Sequence, residues 1–228
     1  MRVRKPRILM IEDETDVLAL NRRFFEPQGY EVCCAKTLAE ARACIYETPP
    51  DLILLDVQLP DGSGYEFCAE VRGITAAPIL YLTCLGRDED VVRGLLAGGD
   101  DYITKPYSLD VLSARVIAAL RRGGFANAGR IEKPPLVIDL LTGRVTLDGS
   151  DIVLSQKELQ LLSFLVCHAG REFTADELYA AIWGAGSSPS TVRTHISNLR
   201  SKVRENNYFE ILMTPGKGYT FVQTRYSV

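Results

Sequence analysis

Five side chains suited to phosphoryl chemistry recur at similar places in the first half of the chain: Glu12, Asp13, Asp56, Thr83 and Lys105. Each ends or follows a short apolar run. RILMI precedes Glu12-Asp13, LILL leads into Asp56, ILYL into Thr83, and DYIT into Lys105-Pro106. Three carboxylates brought together repel one another unless a cation sits among them, and few carboxylates with room for water suit Mg2+. A lysine adds a second positive charge and a threonine a hydroxyl donor. Together they could stabilise charge spreading over the equatorial oxygens of a phosphoryl group, with Asp56 as the nucleophile that forms an aspartyl phosphate. Singly, each residue has a plainer reading. Asp56 could mark the exit into the turn announced by LPDGSG, and Glu12-Asp13 could start a helix favourably. Thr83 could be an ordinary strand residue, and Lys105-Pro106 a turn. Five at matching strand ends favour the shared site.

The elements that must position them alternate along the chain. Strand candidates at 7–11, 31–34, 51–56, 78–83 and 101–104 are separated by amphipathic stretches near 15–26, 37–47, 63–72, 87–97 and 108–121. Leu52-Ile53-Leu54-Leu55 reads as a strand buried on both faces. Five strand–helix units predict an α/β doubly wound, five-stranded parallel sheet with helices on both faces. In such sheets the functional crevice lies at the carboxyl ends of the strands.

At 228 residues the chain suits two domains, and 46% hydrophobic with 24% charged residues is ordinary for a globular protein. Only ILMI follows the basic MRVRKPR, too short for a signal-peptide core, and no run approaches a membrane span. A cytoplasmic protein with no membrane association is expected. The six cysteines (33, 34, 44, 68, 84 and 167) form no CxxC, and the two histidines complete no zinc spacing. Thiols of a reducing compartment are the expectation. Net charge is −3, but it is unevenly spread: residues 187–228 carry six basic side chains against two acidic. That local cationic surface on an acidic chain points to separate tasks for the two halves.

Residues 1–122 form the first predicted domain. Over 123–135 the glycines, small residues and Pro134-Pro135 read as a flexible linker with a stiff end. Within 136–228, short strands at 136–140 and 144–147 precede two capping boxes, Ser155-Gln-Lys-Glu158 and Thr174-Ala-Asp-Glu177. A third helix starts near Ser188-Pro189. Two strands over 211–222 flank Pro215-Gly216-Lys217-Gly218. This order predicts an α+β winged helix-turn-helix domain. In the third helix Val192, Ile196, Leu199 and Val203 form an inward stripe. Ser190, Thr194, Ser197 and Ser201 lie opposite, Arg193, Asn198 and Arg204 lie toward the edges of that outward face, and Arg200 and Lys202 border the stripe. Short hydroxyls, an amide and arginines suit base edges in a major groove, with flanking cations on phosphate. A solvated amphipathic helix is the alternative; Lys217 at the hairpin tip favours DNA.

The motifs "ILMIEDE", "LILLDVQLPDGSG", "ILYLTC" and "GGDDYITKPY" resemble the receiver domain of bacterial two-component response regulators, a flavodoxin-like fold, over residues 6–122. The resemblance implies that Glu12, Asp13 and Asp56, with the backbone carbonyl of Gln58, bind Mg2+, and that a sensor histidine kinase phosphorylates Asp56. Lys105 and Thr83 would grip the phosphoryl oxygens, and Tyr102 would be the aromatic whose inward swing accompanies Thr83. Gln58 and Leu85 would flank the pocket.

Residues 136–222, through "LSQKELQLLSFLV", "LYAAIWG", "STVRTHISNLRSKV" and "GKGYTF", resemble the DNA-binding domain of the OmpR/PhoB family. The resemblance implies two copies on tandem promoter half-sites, and contact with RNA polymerase through the loop 183–190. The chain departs from the family pattern at Arg193, where an acidic residue is usual, and at Pro215 and Thr220, where arginine is frequent. Val91 and Val111 replace a basic–acidic pair of the receiver's dimer face, while Asp100, Asp101, Arg115 and Arg122 of that face are present. The expectation is a phosphorylation-dependent transcriptional regulator that forms a homodimer on activation. It would be an enzyme only toward its own aspartyl phosphate. DNA binding independent of phosphorylation, and a phosphorelay or protein-interaction switch, are the alternatives.

Overall fold

The apolar runs of the first half pair in one sheet, whose inner strands have no polar face to show to solvent. The computed structural model describes residues 4–84, 88–184, 189–203 and 208–224, and the chain divides into two units, Met1–Gly129 and Arg130–Val228. The first unit runs β1 (Arg7–Ile11), α1 (Thr15–Phe25), β2 (Glu31–Ala35), α2 (Leu38–Glu47), β3 (Leu52–Asp56), β4 (Gln58–Leu59), β5 (Gly62–Ser63) and α3 (Gly64–Val71). It continues through β6 (Ile79–Thr83), α4 (Asp88–Leu96), β7 (Asp101–Thr104) and α5 (Leu109–Arg122).

The five long strands are parallel, in the order β2-β1-β3-β6-β7. Every residue of β3 and β6 is buried, which accounts for runs that never alternate with polar residues. The strand order reverses between β1 and β3, the switch point at which such sheets open a crevice. Register levels the strand ends there: Ile11 lies opposite Leu55, Asp56 opposite Leu82, and Thr83 opposite Thr104.

The short β4–β5 ribbon was not expected from the sequence, since two-residue strands leave no periodic signal. It folds QLPDGS back so that the Gly64 amide donates to the Val57 carbonyl at 2.8 Å. A Cβ on Gly64 would collide with the Asp56 carbonyl oxygen and lie 2.9 Å from Val57 Cα. Only glycine therefore lets α3 begin this close to the end of β3. The Asp61 carboxylate, carried by the same turn, accepts from the Leu38 and Ala39 amides at 2.9 and 3.0 Å and caps α2.

The stretch expected as a linker, 123–135, is divided between the two units. The Phe125 amide donates to Leu120 O and Arg121 Nε to Ala128 O, so 123–129 lies against the end of α5. Arg130–Lys133 is a strand, β8, with a single apolar residue, Ile131, too little to reveal a strand by pattern. It pairs antiparallel with β9 (Leu136–Asp139), which pairs with β10 (Val145–Leu147) and then β11 (Ser150–Ile152).

The second unit then carries α6 (Gln156–Cys167), α7 (Ala175–Trp183), α8 (Pro189–Lys202) and a hairpin of β12 (Phe209–Thr214) and β13 (Gly218–Gln223). Both capping boxes form, satisfying amides at the starts of α6 and α7. Val192, Ile196, Leu199 and Val203 are buried in a core with Leu161, Leu165, Leu178 and Phe221. No described helix is long and apolar enough to cross a membrane.

Candidate functional site

The chain leaves β1 at Glu12, whose amide donates to Ala35 O at 3.0 Å, so that the side chain turns inward and is 3% exposed. Asp56, the last residue of β3, is 7% exposed. Lys105 is fixed just past β7 by its amide, which donates to Thr83 O at 2.8 Å, ahead of a cis Lys105-Pro106 bond. From there Lys105 Nζ reaches Glu12 Oε2 and Asp56 Oδ2, each at 2.6 Å. The other Asp56 oxygen accepts from the Gln58 amide at 3.0 Å.

Burial raises the Glu12 pKa above the ordinary carboxylate value, against the opposing pull of Lys105. Burial would lower Lys105, but its hydrogen bonds to Asp56 and Glu12 outweigh that and raise it, so the ammonium is retained. One lysine does not complete the site. Glu12 Oε1 is buried with no hydrogen-bond partner, and Glu12, Asp13 and Asp56 each offer an oxygen within 4.8 Å of the others. An orphaned buried acceptor beside an exposed aspartate is a costly arrangement that a hard, oxygen-seeking divalent cation would relieve. The donor set therefore fits a divalent metal.

Thr83, at the end of β6, is wholly buried. Tyr102 lies one strand over, its hydroxyl hydrogen-bonded to the Thr83 side chain and 3.1 Å from the Tyr65 hydroxyl. Tyr65 in turn donates to Asp90 O at 3.2 Å. Burial, then the bond with Tyr65, raises the Tyr102 phenol above its ordinary value. The rings of Tyr65 and Tyr102 flank Tyr81, at centroid distances of 5.2 and 5.9 Å. A Cβ on Gly94 would lie 3.1 Å from both Tyr65 and Tyr81, so α4 packs directly on this cluster. Tyr65 was missed in the sequence because SGYEF marks only a helix start.

Of the dimer-face candidates, Asp100 accepts from Arg72 at 2.6 Å and from the Ile79 amide at 2.8 Å. Asp101 accepts from Arg115 at 2.6 and 2.7 Å. Arg122 is exposed and Val91 half-buried. Val111 on α5 and Val92, Leu95 and Leu96 on α4 are exposed apolar side chains.

In the second unit, Ser190, Arg193, Thr194, Ser197, Asn198 and Ser201 are all exposed on α8. Thr194 Oγ1 donates to Ser190 O, and Ser201 Oγ to Asn198 O, so both hydroxyls lie along the helix. Arg200 and Lys202, also exposed on α8, each have a partner within the second unit. The Arg200 guanidinium donates twice to Ile211 O, at 3.0 and 2.6 Å, tying α8 to β12. Lys202 Nζ lies 2.7 Å from Oε2 of buried Glu158. Residues bordering an apolar stripe sit where neighbouring elements dock, and these two cations contact β12 and α6 there. Lys217, at the hairpin tip, lies 3.5 Å from Glu172 and is largely exposed. Thr220 is buried. Leu85, Arg204 and positions 185–188 of the loop 183–190 lie outside the described residues.

Comparison with known proteins agrees with both halves of this arrangement. Residues 8–117 match the family model "Response regulator receiver domain", and residues 149–221 match "Transcriptional regulatory protein, C terminal". The regulatory protein VanRB of Enterococcus faecalis is 38% identical over 88% of this chain and 91% of its own length. The phosphate regulon transcriptional regulatory protein PhoB of Pseudomonas aeruginosa is 36% identical over 94% of this chain and 96% of its own. A crystal structure of a two-component response regulator from Clostridium difficile superposes with a TM-score of 0.51 at 36% identity, covering 52% of this chain and 98% of that one. With a receiver fold carrying an acidic crevice, followed in the sequence by a winged-helix unit, the chain belongs to the OmpR/PhoB family of two-component response regulators.

Proposed function

We propose that Asp56 accepts a phosphoryl group from a sensor histidine kinase in the cytoplasm and that this controls binding of α8 to promoter DNA. The observation that carries the reading is Lys105 Nζ at 2.6 Å from both Glu12 and Asp56, with Glu12 Oε1 left without a partner. Glu12, Asp13, Asp56 and the Gln58 backbone carbonyl would hold Mg2+. When bound, the ion neutralises charge on the incoming phosphoryl oxygens. An Asp56 oxygen attacks phosphorus as the bond from phosphorus to the donor's leaving group breaks. Lys105 then transfers its contact to a phosphoryl oxygen, and the Thr83 hydroxyl donates to another. Thr83 draws on Tyr102, and the state so favoured exposes a different balance of contacts on α4, β7 and α5.

That face would pair two receivers through Val91, Val111, Asp100, Asp101, Arg115 and Arg122. A valine pair in place of an ion pair is tolerable, since an exposed ion pair contributes only about 0–1 kcal/mol. Pairing sets two second units on tandem half-sites. There Ser190, Arg193, Thr194, Ser197, Asn198 and Ser201 would face the major groove, and Lys217 phosphate. The loop 183–190 would face RNA polymerase.

Incubation with a radiolabelled acyl phosphate and Mg2+ tests the input: the parent chain takes up label and Asp56→Ala does not. Equal labelling of both removes Asp56 from the role. A second reading, DNA binding without phosphorylation, is favoured by Tyr102 being already bonded to Thr83 and Tyr65. Promoter affinity measured with and without phosphodonor separates the two.

A further inference from the structure

Away from the acidic crevice, one pair of oxidisable side chains meets across two elements. Cys33 in β2 and Cys44 in α2 bring their sulfurs to 3.0 Å. β2 is an edge strand, at the opposite end of the sheet from β7, and both cysteines are half-buried rather than sealed in the core. Strand alternation turns the neighbouring Cys34 to the other face. Burial raises its thiol there, and Arg22 and Glu26 are its charged neighbours. The contact between Cys33 and Cys44 thus singles out one partner for each.

We propose that Cys33 and Cys44 form a reversible disulfide, making the α2 edge of the receiver a thiol–disulfide exchange site for low-molecular-weight disulfides. The sulfurs already point at one another about 1 Å beyond the ~2.05 Å of the bond, so a small shift of an edge strand or of α2 closes it. In the first step the Cys33 thiolate attacks one sulfur of the small disulfide. That S–S bond breaks, and the released thiolate takes up the proton lost by Cys33. Cys44 then gives up its proton and attacks the Cys33 sulfur, expelling the second small thiol. Two cysteines are oxidised and one small disulfide is reduced to two thiols. The order follows from chemistry: burial, then the hydrogen bond with Cys33, holds the Cys44 thiol above its ordinary value. It acts second, when its target is held beside it. The bond ties α2 to β2 and leaves the β7 edge untouched.

The test is a redox titration of the native full-length chain in mixtures of reduced and oxidised glutathione, followed by alkylation and peptide mapping. The expected result is one intramolecular link between the Cys33 and Cys44 peptides, with loss of two hydrogens from the intact mass and full reversal by reduced glutathione. The link persists in Cys34→Ser, which also distinguishes Cys33 from its neighbour, and disappears in Cys44→Ser. The proposal is overturned if all six thiols alkylate across the series, if Cys33 stops at a glutathione adduct with Cys44 free, or if other cysteines pair. The parent chain alone decides among these outcomes, whatever the fold of the serine variants.

Discussion

The hydroxyl of Tyr65, at the start of α3, lies 3.1 Å from that of Tyr102 in β7 and donates onward to Asp90 O in α4. Tyr102 is also bonded to Thr83. Thr83, at the end of β6, and the first turn of α4 are therefore joined through two phenols, and the Tyr102 hydroxyl is held by a side chain outside the acidic site. Tyr65→Phe keeps the ring against Tyr81 and removes only the hydroxyl. A stability loss of about 1 kcal/mol is expected. DNA affinity without phosphodonor should fall while affinity with phosphodonor is retained. Equal affinity of both proteins in the unphosphorylated state would show that Tyr65 does not bias the switch.

Lys105→Met should destabilise the first unit in chelator, because Glu12 and Asp56 are left buried without their cation. Removing one partner of a buried ion pair costs roughly 3–5 kcal/mol. Mg2+ should recover part of that loss and should also raise the thermal midpoint of the parent chain by mass action. Asp13→Asn should blunt the Mg2+ response without comparable loss in chelator, since Asp13 is exposed. Thermal melts with chelator and with Mg2+ check all three.

Gly64→Ala introduces a Cβ into the Asp56 carbonyl and the Val57 backbone. Relief requires moving the end of β3, and overpacking of this kind costs about 1–3 kcal/mol. Phosphoryl uptake should fall as well, because the nucleophile moves with its backbone. Normal labelling in a folded Gly64→Ala chain would contradict this.

Glu158 is buried, which alone would raise its pKa, but Lys202 and the Ser155 amide lower it overall. A carboxyl held below its unfolded value contributes stability that is complete above the ordinary carboxylate range and lost as pH falls through the folded value. The second unit should therefore weaken on acidification, and Glu158→Gln should flatten that dependence. Trp183, the sole tryptophan, lies in this unit and reports its unfolding by fluorescence.

Arg193→Ala should reduce the salt dependence of DNA binding by about one counterion if Arg193 meets phosphate, or relax sequence preference if it meets a base. Stability should not change, as Arg193 makes no ion pair among the described residues. Lys202→Ala should do the reverse, lowering stability with little effect on the salt slope. Electrophoretic or anisotropy titrations at several salt concentrations, paired with melts, distinguish the two roles.

Much of the site was legible because its signals are local. A strand buried on both faces must be apolar throughout, so a polar residue at its end stands out, and Asp56, Thr83 and the Glu12-Asp13 pair declare themselves this way. Capping boxes are equally local, since a helix start needs its amide partners within three residues. The inward stripe of α8 is a periodicity and survives any tertiary detail.

The sequence by itself therefore determined which strands carry the crevice, which helices follow, and which face of α8 turns inward. Only the tertiary structure decided how polar groups at the margins are spent. Arg200 and Lys202 read in the sequence as surface cations, and that Ile211 O and Glu158, distant in sequence, lie beside them appears only in the fold. Tyr65 reaches Thr83 only through Tyr102, which folds against it, and β8 exists as a strand only because β9 supplies its partners. Hydrophobic burial is written residue by residue along the chain. Hydrogen bonds and ion pairs depend on positions good to a fraction of an ångström between residues far apart in sequence, and only the folded chain supplies those.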